Sequence, residues 1–367
     1  MINCARLSER YSIIDIMEQR SKNLIKNGIT LFVVFFFTWV MYKNLGDFET
    51  LFETISNAHP LFFILTVGLG ISNFYMYSWI AQSSYRIISE GTKYPKIFLN
   101  TIVYHFLSVS NPLGAAGSSA YLVKYLVDRG LSHIKAVFGV LITNLSTNLA
   151  FIFILIYTLY NLNLADKLER YQWYASFIAL ALNLGILAII VLFVALPRFS
   201  GKIAKWVTGV INKVTRKIIK KDSISERTLD DYIQEARSLS ARFDLSIYKF
   251  IKSLPISLCY HGVNMLILYL SFQTFAVPVE VTQIVTLYGL ITLFTIVAPT
   301  PQGVGVVEGL AHTVAISVGV SSSGALLAIL MFRLAVIWFP AIIGLFIFRH
   351  KDSALSNSKE GVPVGSV

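Results

Sequence analysis

The chain has 367 residues, 55% of them hydrophobic and 14% charged, with a formal net charge of +11. A soluble domain carries roughly a quarter charged residues, so this composition excludes an ordinary soluble enzyme and points to a polytopic membrane protein. The basic excess gathers in a few segments and reads as a topology signal; no nucleic-acid-binding motif accompanies it, and no nucleic-acid partner is expected.

Residues 1–26 form a basic N-terminal segment that ends before "GITLFVVFFFTWVMY". Bulky residues and Lys43 follow that stretch, with no small-x-small cleavage site, so it reads as an uncleaved first span. A helix needs about 20 apolar residues to cross a hydrocarbon core of ~30 Å. Candidate spans run over Asn27–Leu45, Pro60–Gln82, Ile134–Tyr160, Trp173–Leu196, Ser253–Phe275 and Ser323–Phe348. Two further regions differ. Lys96–Pro112 and Gln283–Pro299 are apolar but short, and each leads through a Pro/Gly break into a second short apolar stretch.

The two interrupted regions are copies of one unit. A shift of 189 positions carries Pro112 onto Pro301, Gly114 onto Gly303, Gly130 onto Gly319 and Leu145 onto Leu334, without a gap. The chain therefore divides into a first membrane repeat at 27–160, a second at 161–349 and a disordered tail at 350–367. Within the second repeat, 197–252 is a cytoplasmic segment.

Charge fixes the orientation. Thirteen Lys/Arg lie in 197–252, and five more lie by Lys26, so both segments belong on the cytoplasmic side. Between the first two spans, Lys43 stands against Asp47, Glu49 and Glu53, so that loop belongs outside. If each interrupted region enters and leaves by one face, six spans satisfy every assignment and both termini are cytoplasmic. The first hairpin then opens to the cytoplasm and the second outside. Three spans separate the two breaks, so the repeats are inverted. The expected fold is an all-α integral membrane protein of about six full transmembrane helices plus two re-entrant Pro/Gly-broken hairpins. Within 197–252, Ile203, Trp206, Val207, Val210 and Ile211 at helical spacing among lysines mark a basic amphipathic helix on the anionic inner leaflet.

Broken backbone at membrane depth leaves N–H and C=O groups unpaired, which is tolerated where it is buried in protein or lines a polar cavity. Inverted repeats with discontinuous helices are a common transporter plan. The candidate site is accordingly the break "APTPQGVGVVEG" with its two prolines, three glycines and one carboxylate: Pro301, Gly303, Gly305 and Glu308, with His312 one turn later. Arg333 lies about ten residues, or ~15 Å, into the last span, where a charge needs a partner or a pathway. Glu308 is the natural partner; alternatively Arg333 holds a head-group phosphate through its planar fork. In the first copy, Asn144 takes the place of Arg333 and Ser119 that of Glu308. Ser118 and Ser119 stand at a half-helix start, where they contact a head group or cap the helix. His105 and His261 read as packed, hydrogen-bonded residues. No metal-ligand spacing, Walker loop or Rossmann fingerprint is present, so no cofactor or metal is expected. Cys4 and Cys259 are bystanders.

The second motif, "PTPQGVGVVEGLAHTVAISVGVSSSGALLAILMFRLAVIWFPAIIG", and "NPLGAAGSSAYLVKYLVDRGLSHIKAVFGVLITNL" resemble the flippase-like transmembrane region of lysylphosphatidylglycerol synthases. The resemblance covers roughly Gly28 to Arg349. It implies a cell-membrane protein that moves an anionic, aminoacylated or glycosylated lipid, or a polyprenyl-phosphate carrier, between leaflets. It also implies the lipid-translocating part without the soluble aminoacyl-transferase domain, and hence no enzyme. Membrane phospholipid or a lipid-linked substrate is the expected partner, with a second copy or an envelope-biosynthesis protein as a further one. The competing classes are a membrane-embedded lipid or glycosyl transferase and a non-catalytic subunit of envelope-glycan assembly.

Overall fold

The computed structural model describes residues 56–88, 94–111, 114–195, 253–298, 300–320 and 323–360, with a few isolated positions between 209 and 234. The span at Asn27–Leu45, the N-terminal segment and the basic amphipathic helix lie outside the described residues. Every regular element described is helical: α1 Pro60–Ile88, α2 Tyr94–Ser110, α3 Gly114–Val127, α4 His133–Leu164, α5 Arg170–Ala195, α6 Ser253–Thr274 and α7 Val281–Val297. A 3₁₀ turn at Pro301–Gly303 follows, then α8 Val306–Ser317, α9 Ser323–Arg333, a π-helical segment Leu334–Trp338 and α10 Phe339–Glu360.

Five stretches are long and apolar enough to cross a membrane: Pro60–Ile87, His133–Leu164, Arg170–Ala188, Ser253–Thr274 and Gly324–His350. They coincide with the five spans expected from the sequence in this part of the chain. Their outward faces carry large apolar side chains such as Ile64, Phe177 and Phe346, all strongly exposed. In water such a surface would be an aggregation liability; against acyl chains it is the ordinary lipid-facing side. One boundary moves. The tail was expected to be irregular from residue 350, yet α10 continues to Glu360. Between residue 350 and Gly361 the chain has no Pro or Gly, so nothing in the sequence forces a stop at 350.

Backbone hydrogen bonds repeat at the same offset of 189 that relates the prolines and glycines. At the breaks, Gly114 N–H donates to the Asn111 carbonyl (2.7 Å) and Gly303 N–H to the Thr300 carbonyl (3.1 Å). At the ends of α3 and α8, Leu131 N–H donates to the Leu126 carbonyl and Val320 N–H to the Ala315 carbonyl, the six-to-one bond of a Schellman cap. The four glycines at these points all have left-handed φ, +52° and +67° at the breaks and +88° and +84° at the caps. Two stretches of different sequence thus adopt one backbone path.

The packing follows the same rule. α2 lies along α10 as α7 lies along α4, and α1 packs on α4 as α6 packs on α9. α1 and α6 form the central pair, joined by a hydrogen bond from Asn73 Nδ2 to Asn264 Oδ1 (3.0 Å). Small residues permit the close approaches. A Cβ on Gly344 of α10 would sit 2.8 Å from the Ile102 carbonyl oxygen of α2, and one on Gly289 of α7 would sit 2.0 Å from Thr158 Oγ1 of α4.

A side-chain hydrogen bond ties the two arms of each pair of short helices, at the open end in the second pair and near mid-length in the first. Gln283 Nε2, at the start of α7, donates to the Val318 carbonyl at the end of α8 (3.1 Å). Tyr121 Oη, in α3, donates to Asn100 Oδ1 in α2 (2.6 Å). At 1.5 Å per residue, α7 is about 25 Å long and α8 about 18 Å, short of a full hydrocarbon core. The two breaks meet in the interior: a Cβ on Gly114 would lie 3.7 Å from Pro301 Cα, and Gln302 Nε2 donates to Ser108 Oγ (2.9 Å).

Candidate functional site

The second break is built by its prolines and glycines. α7 ends where Ala298 turns extended (φ −62°, ψ 138°). Gln302 (φ 53°), Gly303 (φ 67°) and Gly305 (φ 84°) then take left-handed conformations before α8 begins. Gly303 has no room for a side chain: a Cβ would meet Val307 Cγ2 at 2.9 Å and Thr295 Cα at 3.0 Å. Gln302 is the exception to the glycine rule, since its side chain is used across the interface to Ser108.

Glu308 occupies the first turn of α8 and reaches back, accepting the Gly305 N–H at Oε2 (2.7 Å). Its other oxygen, Oε1, accepts from Arg333 Nε (2.9 Å). Arg333 Nη2 donates to the Gln302 carbonyl (2.9 Å), and Nη1 makes a longer contact with Thr295 Oγ1 (3.4 Å). Both ionised side chains are buried, with Arg333 only 1% and Glu308 3% exposed. One guanidinium therefore ties α9 to the N-terminus of α8, to the break itself and to α7. The negative charge also sits at the positive end of α8, a second favourable term. The five residues after Arg333 form the π-helical segment, a feature that often marks functional stretches of helices.

Arg333 faces a cavity of about 540 Å³, within the range of small-molecule sites. Both interrupted regions line it. Pro301, Gln302 and Thr300 come from the second break, and Gly114 and Ala115 from the start of α3. Asn144, Thr147 and Asn148 come from α4. Tyrosine and histidine rings also line it, Tyr77, Tyr104, His105, Tyr260, His261 and Tyr288, beside aliphatic residues such as Ile291 and Val336. Tyr77 Oη donates to Asn144 Oδ1 (3.2 Å). His261 Nε2 faces the Thr147 carbonyl (3.0 Å), which can only accept, so Nε2 carries the hydrogen. Its Nδ1 then accepts from Tyr288 Oη (2.6 Å). Adjacent rings continue the chain from His105 through Tyr77 and Tyr260 to His261 and on through Tyr288 to Phe332, beside Arg333.

The residues singled out by sequence are distributed as follows. Pro301, Asn144 and Arg333 line the cavity, and Glu308 holds Arg333 from behind. Gly303 and Gly305 shape the break. Ser118 is fully buried, and its Oγ contacts the Gly114 and Ala115 carbonyls of its own helix, so it does not face the cavity. Ser119 is not part of the cavity wall. His312 falls on α8, one turn after Glu308, but its side chain is not among those described. Sequence reasoning missed the tyrosines, because each belongs to an apolar helix pattern and nothing local shows that four of them converge. It also missed Gln302, whose carbonyl and amide both serve the site. Among the described residues, no group of three His, Cys, Asp or Glu is placed to hold a metal ion.

Comparison with known proteins agrees with this architecture. Residues 24–344 match the family described as lysylphosphatidylglycerol synthase TM region. A UPF0104 membrane protein of Methanothermobacter thermautotrophicus is 21% identical over 330 residues, covering 89% of this chain and 96% of that protein. The chain belongs to the lysylphosphatidylglycerol synthase TM-region family.

Proposed function

We propose that this family member moves lipids between the leaflets of the cell membrane, with the polar head group passing through the cavity where the two broken helices meet. The observation that carries this reading is the position of the cavity. A polar space lined by both repeats opens among helices whose outer faces are apolar. Acyl chains remain in lipid while the head group crosses between the repeats, which is the plan of inverted-repeat carriers.

The topology that goes with this reading has six spans and two re-entrant hairpins, with cytoplasmic termini. Contacts between loops support it. Charge assigns the loops near residues 59, 167, 275 and 319 to the outside. His59 N–H donates to the Thr274 carbonyl, and a Cβ on Gly319 would lie 3.6 Å from both Lys167 Nζ and Gln283 Nε2. Loops assigned to one side are thus neighbours in space. The Arg333–Glu308 pair fixes the shape of the second break.

The test is reconstitution. The purified chain goes into liposomes with trace lipids carrying a fluorescent acyl chain, and dithionite quenching reports how fast they leave the inner leaflet. Protein-dependent acceleration is expected. Vesicles that behave as empty ones across anionic, aminoacylated and glycosylated lipids would overturn the reading.

A further inference from the structure

Resting on the translocation reading, we infer that the head group this cavity accepts is uncharged and hydroxyl-rich: the sugar of a glycolipid rather than a phosphate or an ammonium group. Three observations carry the inference. The first is charge. Among the described residues Arg333 is the only one with an ionised side chain that lines the cavity, and Glu308 neutralises it at 2.9 Å with both of its own oxygens engaged. A phosphate entering this space would meet no net positive charge, and an ammonium no free carboxylate. Either would be stripped of water and left unpaired, which is the most expensive state a charge can occupy.

The second observation is hydrogen-bonding capacity. Asn148 lines the cavity and has no hydrogen-bond partner among the described residues. Asn144 is engaged by Tyr77 at its oxygen, which leaves its amide hydrogens toward the space. His105 makes ring contacts to Phe74, Tyr77 and Tyr104 but no side-chain hydrogen bond among the described residues. These are donors and acceptors without formal charge, on α2 and α4, around the same cavity as Arg333 on α9. A sugar hydroxyl both donates and accepts, so it suits each of them.

The third is the apolar remainder of the wall. Phe151, Ile291, Phe332 and Val336 line the same space together with the polar groups. A pyranose has hydroxyls at its rim and C–H groups on its faces, and it matches a wall that mixes amides with rings.

The test uses the full chain in phosphatidylcholine nanodiscs and a fluorescent glucosyl-diacylglycerol as the bound probe. Competitors are unlabelled glucosyl-diacylglycerol, phosphatidylglycerol, lysyl-phosphatidylglycerol, diacylglycerol and soluble methyl glucoside. Glucosyl-diacylglycerol should displace the probe at least about a hundredfold better than either charged lipid, since burying an unpaired charge costs far more than a hydrogen bond returns. Asn148→Ala should weaken the glycolipid about tenfold, with an unchanged melting temperature. A melting temperature that falls would shift the decision to Asn148→Asp, whose carboxylate should bring lysyl-phosphatidylglycerol into the site. Preferential displacement by phosphatidylglycerol or lysyl-phosphatidylglycerol would overturn the assignment, and displacement by methyl glucoside alone would remove the lipid from it. Flux in liposomes is read separately. Glycolipid binding without translocation leaves the head-group class standing and removes the transport reading; translocation that favours phosphatidylglycerol does the reverse.

Discussion

The buried Arg333–Glu308 pair separates a fastening role from a ligand-binding role. Glu308→Gln keeps an oxygen for the Gly305 N–H but leaves Arg333 as an uncompensated cation, 1% exposed. Arg333→Gln leaves Glu308 as a buried anion and removes the donor to the Gln302 carbonyl. Breaking one partner of such a pair costs about 3–5 kcal/mol. The double variant Arg333→Gln/Glu308→Gln carries no buried charge. What it does not recover is the hydrogen bond to the Gln302 carbonyl, about 1–3 kcal/mol for an acceptor left unsatisfied. The double should therefore be more stable than either single. If the two side chains acted independently, it would instead be worse by the sum, roughly 6–10 kcal/mol. Denaturation of the purified variants in mixed micelles ranks the four proteins. The lipid flux of the double, measured in liposomes, completes the test. Flux within about threefold of the wild type, one lost hydrogen bond's worth, assigns the pair to fastening the break. A stable double without flux would refute that reasoning and make the guanidinium a head-group contact.

Topology is checked with single cysteines at Arg129 and Val281, both exposed, after Cys4 and Cys259 are changed to serine. An impermeant thiol reagent should label Arg129→Cys only from the cytoplasmic face and Val281→Cys only from outside; labelling of both from one side would sink the inverted arrangement. Gly303→Ala forces a Cβ into left-handed backbone and against Thr295 Cα, so it should destabilise by about 1–3 kcal/mol and lower the melting temperature. Gly344→Ala should cost more than Gly289→Ala. Its Cβ meets the Ile102 backbone carbonyl, while at Gly289 the obstacle is the Thr158 side chain, which can rotate. The reverse order of melting temperatures would show that the helix backbones yield more readily than the side chain.

What the sequence revealed was what is decided locally. Gly114 and Gly303, Gly130 and Gly319 take positive φ by their own chemistry, so their common offset was visible in the sequence, and the hydrogen bonds at these points recur at the same offset. Arg333 was legible because a charge ten residues into an apolar span is costly wherever it lies, and Glu308 was the one carboxylate near the break. The third partner was not legible, because the Gln302 carbonyl reaches Arg333 only through a left-handed turn at a residue that is not glycine. Nor was the aromatic wall. Tyr77, Tyr104, Tyr260 and Tyr288 lie on α1, α2, α6 and α7, and hydrophobic periodicity says which face of a helix is buried but not which neighbour it meets. Ser118 shows the same limit at short range. Its place at a half-helix start was right for a head-group contact, but the rotamer turns Oγ onto the carbonyls behind it.

The two halves share a backbone but not a fastening. In the second break a buried ion pair ties turn, helix start and α9 together. The first has Ser119 and Asn144 at the matching positions, and there Asn111 lies against Gly117 so closely that a Cβ would fall 2.1 Å from its Nδ2. A carrier made of two identical inverted halves has two mirror-related states of equal energy, one open to each side. Here the second hairpin is held by charge-assisted bonds between buried side chains, and the first by uncharged contacts, Tyr121 to Asn100 and Asn111 on Gly117. The former resist opening more strongly, because separating the pair exposes each charge to a medium that cannot solvate it. On the translocation reading, the second hairpin is then the fixed wall and the first is the one that yields. Of the uncharged groups lining the cavity, His105 stands on α2, an arm of the first hairpin, while Asn144 and Asn148 stand on α4, which packs on both hairpins. A head group held between His105 and the α4 amides stabilises whichever position of the first hairpin it bridges to α4, and so couples its own passage to the rearrangement.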